Sequence, residues 1–254
     1  MTDAVRVEDV HQIRWIRFDR PGKRNALRIE DVEAVRAALR EAPSSCACIV
    51  FAGANGDFSA GADTTAFSSA AMGKLEVAEP SPGQRLMEEV RTYQRPTVAA
   101  IEGYCVGLAM ALSAVCDIRV ASRSARFSMP ELKIGLPVIG DSVLFEKYIG
   151  LARAKEMLLM GRWYDAEQME RWGYLNELTE IGEAENAAQV YAQEFCRLPP
   201  RSIAAQKRIF EAWLQLPPRD AHRVSILEYA VTVAHPDTAE WIDQYRTTKR
   251  GGQS

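Results

Sequence analysis

Two short stretches of this chain, residues 47–53 (ACIVFAG) and 97–101 (TVAAI), are apolar on almost every residue. Such runs fit strands that are buried rather than half-wetted, because a strand with one solvated face would alternate. A third strand-length segment follows at 117–121 (DIRVA), and residues 11–18 (HQIRWIRF) read as another. In that first strand Ile13 and Trp15 share one face, while Ile16 and Phe18 share the other. Helix-period segments lie between the strands. Residues 30–41 carry Val32, Val35, Ala38 and Leu39 at helical spacing, and 83–93 repeat the pattern. Residues 103–116 have helical length, and further helices are predicted at 141–149, 152–160 and 165–171, the last with Asp165 as its N-cap. Beyond about residue 183 the pattern is helical almost throughout, broken at Leu198-Pro199-Pro200 and Leu216-Pro217-Pro218. The organisation is α/β to about residue 180, then all-helical.

Charge narrows the function. Of 254 residues, 34 are acidic and 31 basic, a net charge of −3, so there is no basic surplus to hold a nucleic acid. The longest uncharged runs, 42–56 and 103–116, are too short and too rich in glycine or serine to cross a bilayer. Asp3, Glu8 and Asp9 stand where a secretory signal would be apolar. Cys46, Cys48, Cys105, Cys116 and Cys196 form no framework spacing and read as reduced thiols of a cytoplasmic protein. The three histidines, His11, His222 and His235, are far apart in the chain, and no metal site is expected.

Three loops stand out chemically. Residues 20–27 (RPGKRNAL) set Lys23 and Arg24 on a tight turn suited to phosphate. Residues 58–63 (FSAGAD) follow a buried strand with small side chains that let backbone approach a ligand. Residues 103–110 (GYCVGLAM) run from a strand into a helix start, where free N–H groups favour negative charge. The amides of the second and third loops are placed to converge on one carbonyl oxygen. Taken singly, each loop also reads as an ordinary turn or a helix packed by small residues. Residues 54–82 are too long for an ordinary connection and are expected to be functional or mobile.

Together, and in this order, DRPGKRNAL (19–27), FSAGAD (58–63), EGYCVGLAMALSAVCDIRVAS (102–122), FSMPELKIGL (127–136) and GRWYDAEQMERWGYLNEL (161–178) resemble the enoyl-CoA hydratase/isomerase, or crotonase, superfamily. The resemblance covers essentially the whole chain. It implies a spiral of β-β-α units over residues 1–195 and a helical oligomerisation segment over 196–254, assembling as a homotrimer or a dimer of trimers. It also implies an acyl-CoA substrate, with coenzyme A entering only as part of that substrate and no other cofactor.

Position by position, the resemblance implies an oxyanion hole made by the N–H groups of Ala62 and Leu108, the latter where many members have glycine. Substrate and CoA contacts are implied for Lys23, Arg24, Ala26, Ala60, Gly61, Asp63 and Gly107. The hydratases of the family use two glutamates; here the first position is Ala111 and the second is Glu131. One retained carboxylate favours a proton-shuttling isomerase over a hydratase, with a non-catalytic acyl-CoA-binding relative as the reading from another class. Asp141 is a possible second acid, although it reads first as an N-cap for the helix after it. Glu102, where Asn or Asp is common, reads as structural. The lysine that members carry after the GAD motif is absent from Thr64-Thr65-Ala66, so CoA contact leans on Lys23 and Arg24. The end of the chain, with Trp241, Tyr245 and Lys249, resembles a segment that reaches the CoA of a neighbouring subunit.

Overall fold

The computed structural model describes residues 2–67 and 80–251. Residues 68–79, part of the 54–82 stretch expected to be functional or mobile, lie outside the described residues, as does the Lys249 side chain. The described chain forms two compact units, one of residues 2–91 and 96–196, the other of residues 92–95 and 197–251.

The first unit is built on a six-stranded sheet. Its strands are β1 (Val5–Val10), β2 (Ile13–Phe18), β3 (Cys48–Gly53), β4 (Thr97–Ile101), β6 (Ile118–Ser122) and β9 (Glu177–Thr179), side by side in that order. β1 and β2 form an antiparallel hairpin, and every later pairing is parallel. A second, three-stranded sheet joins β5 (Tyr104–Val106), β7 (Arg126–Ser128) and β8 (Tyr164–Asp165). The helices are α1 (Ile29–Arg40), α2 (Pro82–Arg91), α3 (Leu108–Val115), α4 (Val143–Ile149), α5 (Leu151–Met160), α6 (Ala166–Arg171) and α7 (Ala184–Phe195).

Why the central runs are apolar on both faces is now plain. Ile13, Trp15, Cys48, Val50, Ala52, Val98, Ala100 and Val120 pack against Ala184, Ala188 and Ala192 of α7. The alternate residues Ile16, Phe18, Ile49, Phe51, Ala99 and Ile101 are buried on the other face. Phe18 stacks with Phe51 and meets Phe58 edge-on, carrying that core to the base of the FSAGAD loop. Ile13 and Trp15 thus share one face, as their alternation predicts. Asp165 caps α6 by accepting the Gln168 N–H at 2.7 Å, as its position predicts.

Two readings of the sequence need correcting. Residues 103–116 are not one helix: β5 takes Tyr104–Val106, Gly107 turns the chain, and α3 starts only at Leu108. An apolar run of that length hides the change of period. Asp141 does not cap α4. It sits in a short 3₁₀ turn, Gly140–Ser142, and its carboxylate instead pairs with Arg91 Nε of α2 at 3.1 Å.

The second unit holds α8 (Pro200–Gln215), α9 (Pro218–Val233) and α10 (Pro236–Gly251), each opening on a proline at its first helical position. Proline's fixed φ and missing N–H suit that place. Arg208 of α8 pairs with Glu228 of α9 through two 2.7 Å bonds.

Candidate active site

Three loops meet at the ends of β2, β3 and β4, and an asparagine fastens the first two. After the 3₁₀ turn Pro21–Lys23, Arg24 and Asn25 take left-handed φ angles of 47° and 58°. Asparagine tolerates that region better than most residues. The buried Asn25 side chain accepts the Arg20 N–H at 2.8 Å. It donates to the carbonyls of Ala54 at 2.8 Å and Asp57 at 2.6 Å. Its own carbonyl accepts the Ser59 hydroxyl at 2.7 Å. Ser59 Oγ in turn receives the Gly61 N–H at 3.0 Å. The Ala60 N–H donates to the Arg24 carbonyl at 2.8 Å.

A parallel bridge between Leu27 and Ala62 then completes the contact. It uses the Gly61 carbonyl and the Asp63 N–H, which frees the Ala62 N–H to face the opposite side.

The second loop also pairs with β5, where Ser59 donates to Tyr104 and accepts from Val106. This brings Gly61 so close to the third loop that a Cβ there would lie 2.3 Å from the Val106 carbonyl oxygen and 3.2 Å from the Leu108 nitrogen. Gly61, at φ 86°, is therefore required twice over, by backbone conformation and by space. Its successor's N–H and the Leu108 N–H lie on adjoining segments. Leu108 is the first residue of α3, where an N–H has no partner within the helix.

Glu131 enters from the 3₁₀ turn Glu131–Ile134 that follows β7 and Pro130. A Cβ on Gly107 would sit 2.8 Å from its Oε1, so the carboxylate lies against the backbone that presents the Leu108 N–H. Its Oε2 is buried without a hydrogen-bond partner among the described residues. Burial penalises the charged form and raises the Glu131 pKa above the ordinary glutamate value.

Ala111 stands one helical turn beyond Gly107 and donates its N–H to the Gly107 carbonyl. Within α3 only Leu108 and Ala111 escape full burial, which defines the helix face turned to the site. The Leu108 side chain reaches α2, where its Cδ1 lies 3.0 Å from the position a Cβ on Gly83 would take.

The remaining sequence candidates fall into two groups. Lys23 is exposed, and the exposed Arg24 guanidinium stacks 4.0 Å from the centre of the Tyr104 ring. Ala26 and Ala60 are half-buried in the loop contact. Asp63, by contrast, is engaged within the chain. It pairs with Arg20 at 2.5 Å and accepts the Thr65 N–H and hydroxyl at 3.0 and 2.8 Å, and these bonds, Arg20's first, hold its pKa down to about 2. Among the described residues no cluster of three or more His, Cys, Asp or Glu side chains is arranged to hold a metal ion.

Asn25 and Ser59, the fasteners of the first two loops, escape sequence reasoning. An asparagine in a basic turn is the one available signal. Glu102 has the structural role its place suggests. One oxygen accepts the hydroxyls of Ser122 and Ser124, and the other accepts the N–H groups of Gly182 and Ala184 at 3.1 and 3.2 Å.

Residues 8–246 match the family model described as enoyl-CoA hydratase/isomerase. The chain belongs to this family. A carnitinyl-CoA dehydratase of Salmonella paratyphi B is 30% identical over 247 residues, covering 94% of this chain and 93% of the relative. Among solved structures, Pseudomonas aeruginosa DspI superposes with a TM-score of 0.90 at 24% identity, covering 97% of this chain and 95% of that one. An enoyl-CoA hydratase from Polaromonas sp. JS666 gives 0.89 at 23% identity, covering 96% and 97%. These likenesses establish the crotonase fold, with its C-terminal helical region, for this enoyl-CoA hydratase/isomerase family member. Among the described residues no helix is long and apolar enough to cross a membrane.

Proposed function

We propose that the chain moves a proton on an acyl-CoA thioester through an enolate held by two backbone amides. The N–H groups of Ala62 and Leu108 donate hydrogen bonds to the thioester oxygen as it gains charge. Glu131 takes the proton from the carbon beside the thioester carbonyl, and the electrons of that C–H bond pass into the enolate. In a 3-enoyl-CoA the enolate is conjugated, and the same carboxyl group returns the proton at C4. The C3–C4 double bond thereby becomes a C2–C3 double bond. The sequence draws on Glu131 and the amides and calls for no cofactor beyond the CoA of the substrate.

The observation that carries this reading is the Glu131 carboxylate packed on Gly107, beside the Leu108 N–H, with Ala111 on the adjacent helical turn. A hydratase that orients water between two carboxylates lacks its first one here. The test is a panel of acyl-CoAs followed by mass spectrometry for proton exchange, isomerisation and water addition. Isomerisation of a 3-enoyl-CoA without comparable hydration of a 2-enoyl-CoA supports the reading, and the opposite ranking overturns it. The 30% identity to a carnitinyl-CoA dehydratase favours a second reading, elimination of water from a 3-hydroxyacyl-CoA, with Glu131 again taking the C2 proton. The same panel separates the two.

A further inference from the structure

Arg119, on β6, is buried, and among the described residues no carboxylate is one of its partners. Its Nε donates to the Tyr174 carbonyl at 2.7 Å, and one terminal nitrogen donates to Cys116 at 2.8 Å and to Ser113 at 3.5 Å. The other meets Asn176 Oδ1 at 3.3 Å. The guanidinium lies over Tyr148 at 4.3 Å and near Tyr174 at 5.4 Å from the ring centres. Burying a cation this way is costly unless something negative repays it. What repays it here is the end of α3.

The carbonyls of Ser113 and Cys116 close that helix. Nearby, the Tyr148 hydroxyl donates to Ala114 at 3.1 Å and the Tyr174 hydroxyl to Met110 at 3.2 Å. Tyr174 also shares a 2.6 Å hydrogen bond with the Ser113 hydroxyl. The negative end of the helix dipole is thus met by a buried positive charge and two tyrosine hydroxyls. The positive end of the same eight-residue helix carries the Leu108 N–H.

We propose that Arg119 is a positioning residue for the oxyanion hole, acting through α3: it binds the carboxyl-terminal carbonyls and so fixes and electrically reinforces the Leu108 N–H. The inference rests on the enolate reading above. The helix is about 12 Å long. It runs through a dry core, since Ala109, Met110, Leu112, Ser113, Ala114 and Val115 are all buried. A full charge at that remove, at an effective dielectric constant of about 20, favours an anion at the amino end by roughly five- to tenfold.

The test needs no turnover. Acetoacetyl-CoA, whose enolate adds an absorption band at longer wavelength than the adenine and thioester bands of the keto form, is bound at one fixed pH to the unaltered chain, Arg119→Met and Arg119→Lys. We expect the enolate-to-keto ratio of bound ligand to fall about five- to tenfold in Arg119→Met. In Arg119→Lys, which keeps the charge, it should stay within about twofold of the unaltered chain. An undiminished ratio in Arg119→Met overturns the proposal, as does an equal loss in both variants. Should the methionine variant not fold, the lysine variant decides alone: a lowered melting temperature with the ratio retained supports the proposal, and a lost ratio overturns it. No enolate on the unaltered chain would sink the oxyanion-hole reading and this inference with it, whereas an enolate indifferent to Arg119 sinks this inference alone.

Discussion

The Oε1 atom of Glu131 lies 2.8 Å from where a Cβ on Gly107 would be, so glycine at 107 and the carboxylate at 131 occupy one space. The φ of 53° at Gly107 turns β5 into α3 and leaves that space open. With Oε2 buried and unpartnered among the described residues, the ionised carboxylate is held at a cost. Its folded-state pKa lies above the unfolded value, so the group favours the fold below the unfolded pKa. That contribution is lost as pH rises through the folded pKa.

It follows that Glu131→Gln should melt at a higher temperature than the unaltered chain at neutral pH, with the gap closing in acid. Turnover in the unaltered chain should rise with pH through a pKa above that of an ordinary glutamate, since the base acts ionised. Thermal melts and a pH–rate profile check both, and a variant that melts lower at neutral pH would contradict the burial argument.

Ala111 is the natural place to rebuild a second carboxylate. Ala111→Glu should raise hydration relative to isomerisation, because a water could then be held from two sides. Like-charge repulsion would raise one of the two pKa values and shift the activity optimum upward. The ratio of water addition to double-bond migration in the two proteins is the readout. Efficient hydration by the unaltered chain would show that another group holds the water, with Asp141 and its Arg91 partner first in line.

Lys23 and Arg24 are the exposed cations on the first loop, and Arg24 is steadied by the Tyr104 ring. The double alanine variant should bind CoA esters more weakly, and added salt should weaken the unaltered chain more than the variant. Calorimetric titrations at two ionic strengths decide this. Equal salt dependence would show that the cations face solvent only.

Strands β2, β3, β4 and β6 and most helices were legible because their apolar periodicity is set by burial on defined faces, as with Ile13 and Trp15 against Ile16 and Phe18; β1, which buries only Val5 of its six residues, was not. The short strands β7, β8 and β9 were not, since two or three residues carry no period. The candidate site was legible as motifs, yet what fixes them was not. Asn25 and Ser59 act through backbone carbonyls distant in sequence, and no local pattern marks such contacts. Asp141 misled because an acid before a helix signals a cap, whereas Arg91, distant in sequence, claims it.

The C-terminal helices leave Trp213, Leu227, Tyr229 and Tyr245 largely exposed on the single chain, at 59%, 65%, 71% and 62%. Large apolar side chains exposed on three successive helices fit an interaction surface. The chain is expected to assemble as a trimer or a dimer of trimers through residues beyond about 195. Light scattering at micromolar concentration should give a multiple of the 28.3 kDa chain mass, and a monomer would contradict the assignment.

In the proposed reaction Glu131 removes the proton beside a thioester whose oxygen sits on the Ala62 and Leu108 amides. The direct measurement is deuterium uptake at C2 of a saturated acyl-CoA in heavy water, followed by mass spectrometry in the unaltered chain and in Glu131→Gln. A positioned base typically contributes about 10²–10⁴-fold. Ready uptake is expected in the first, a loss of that order in the second, and binding of the acyl-CoA within a few-fold in both. Uptake in Glu131→Gln as fast as in the unaltered chain would contradict the proposed reaction.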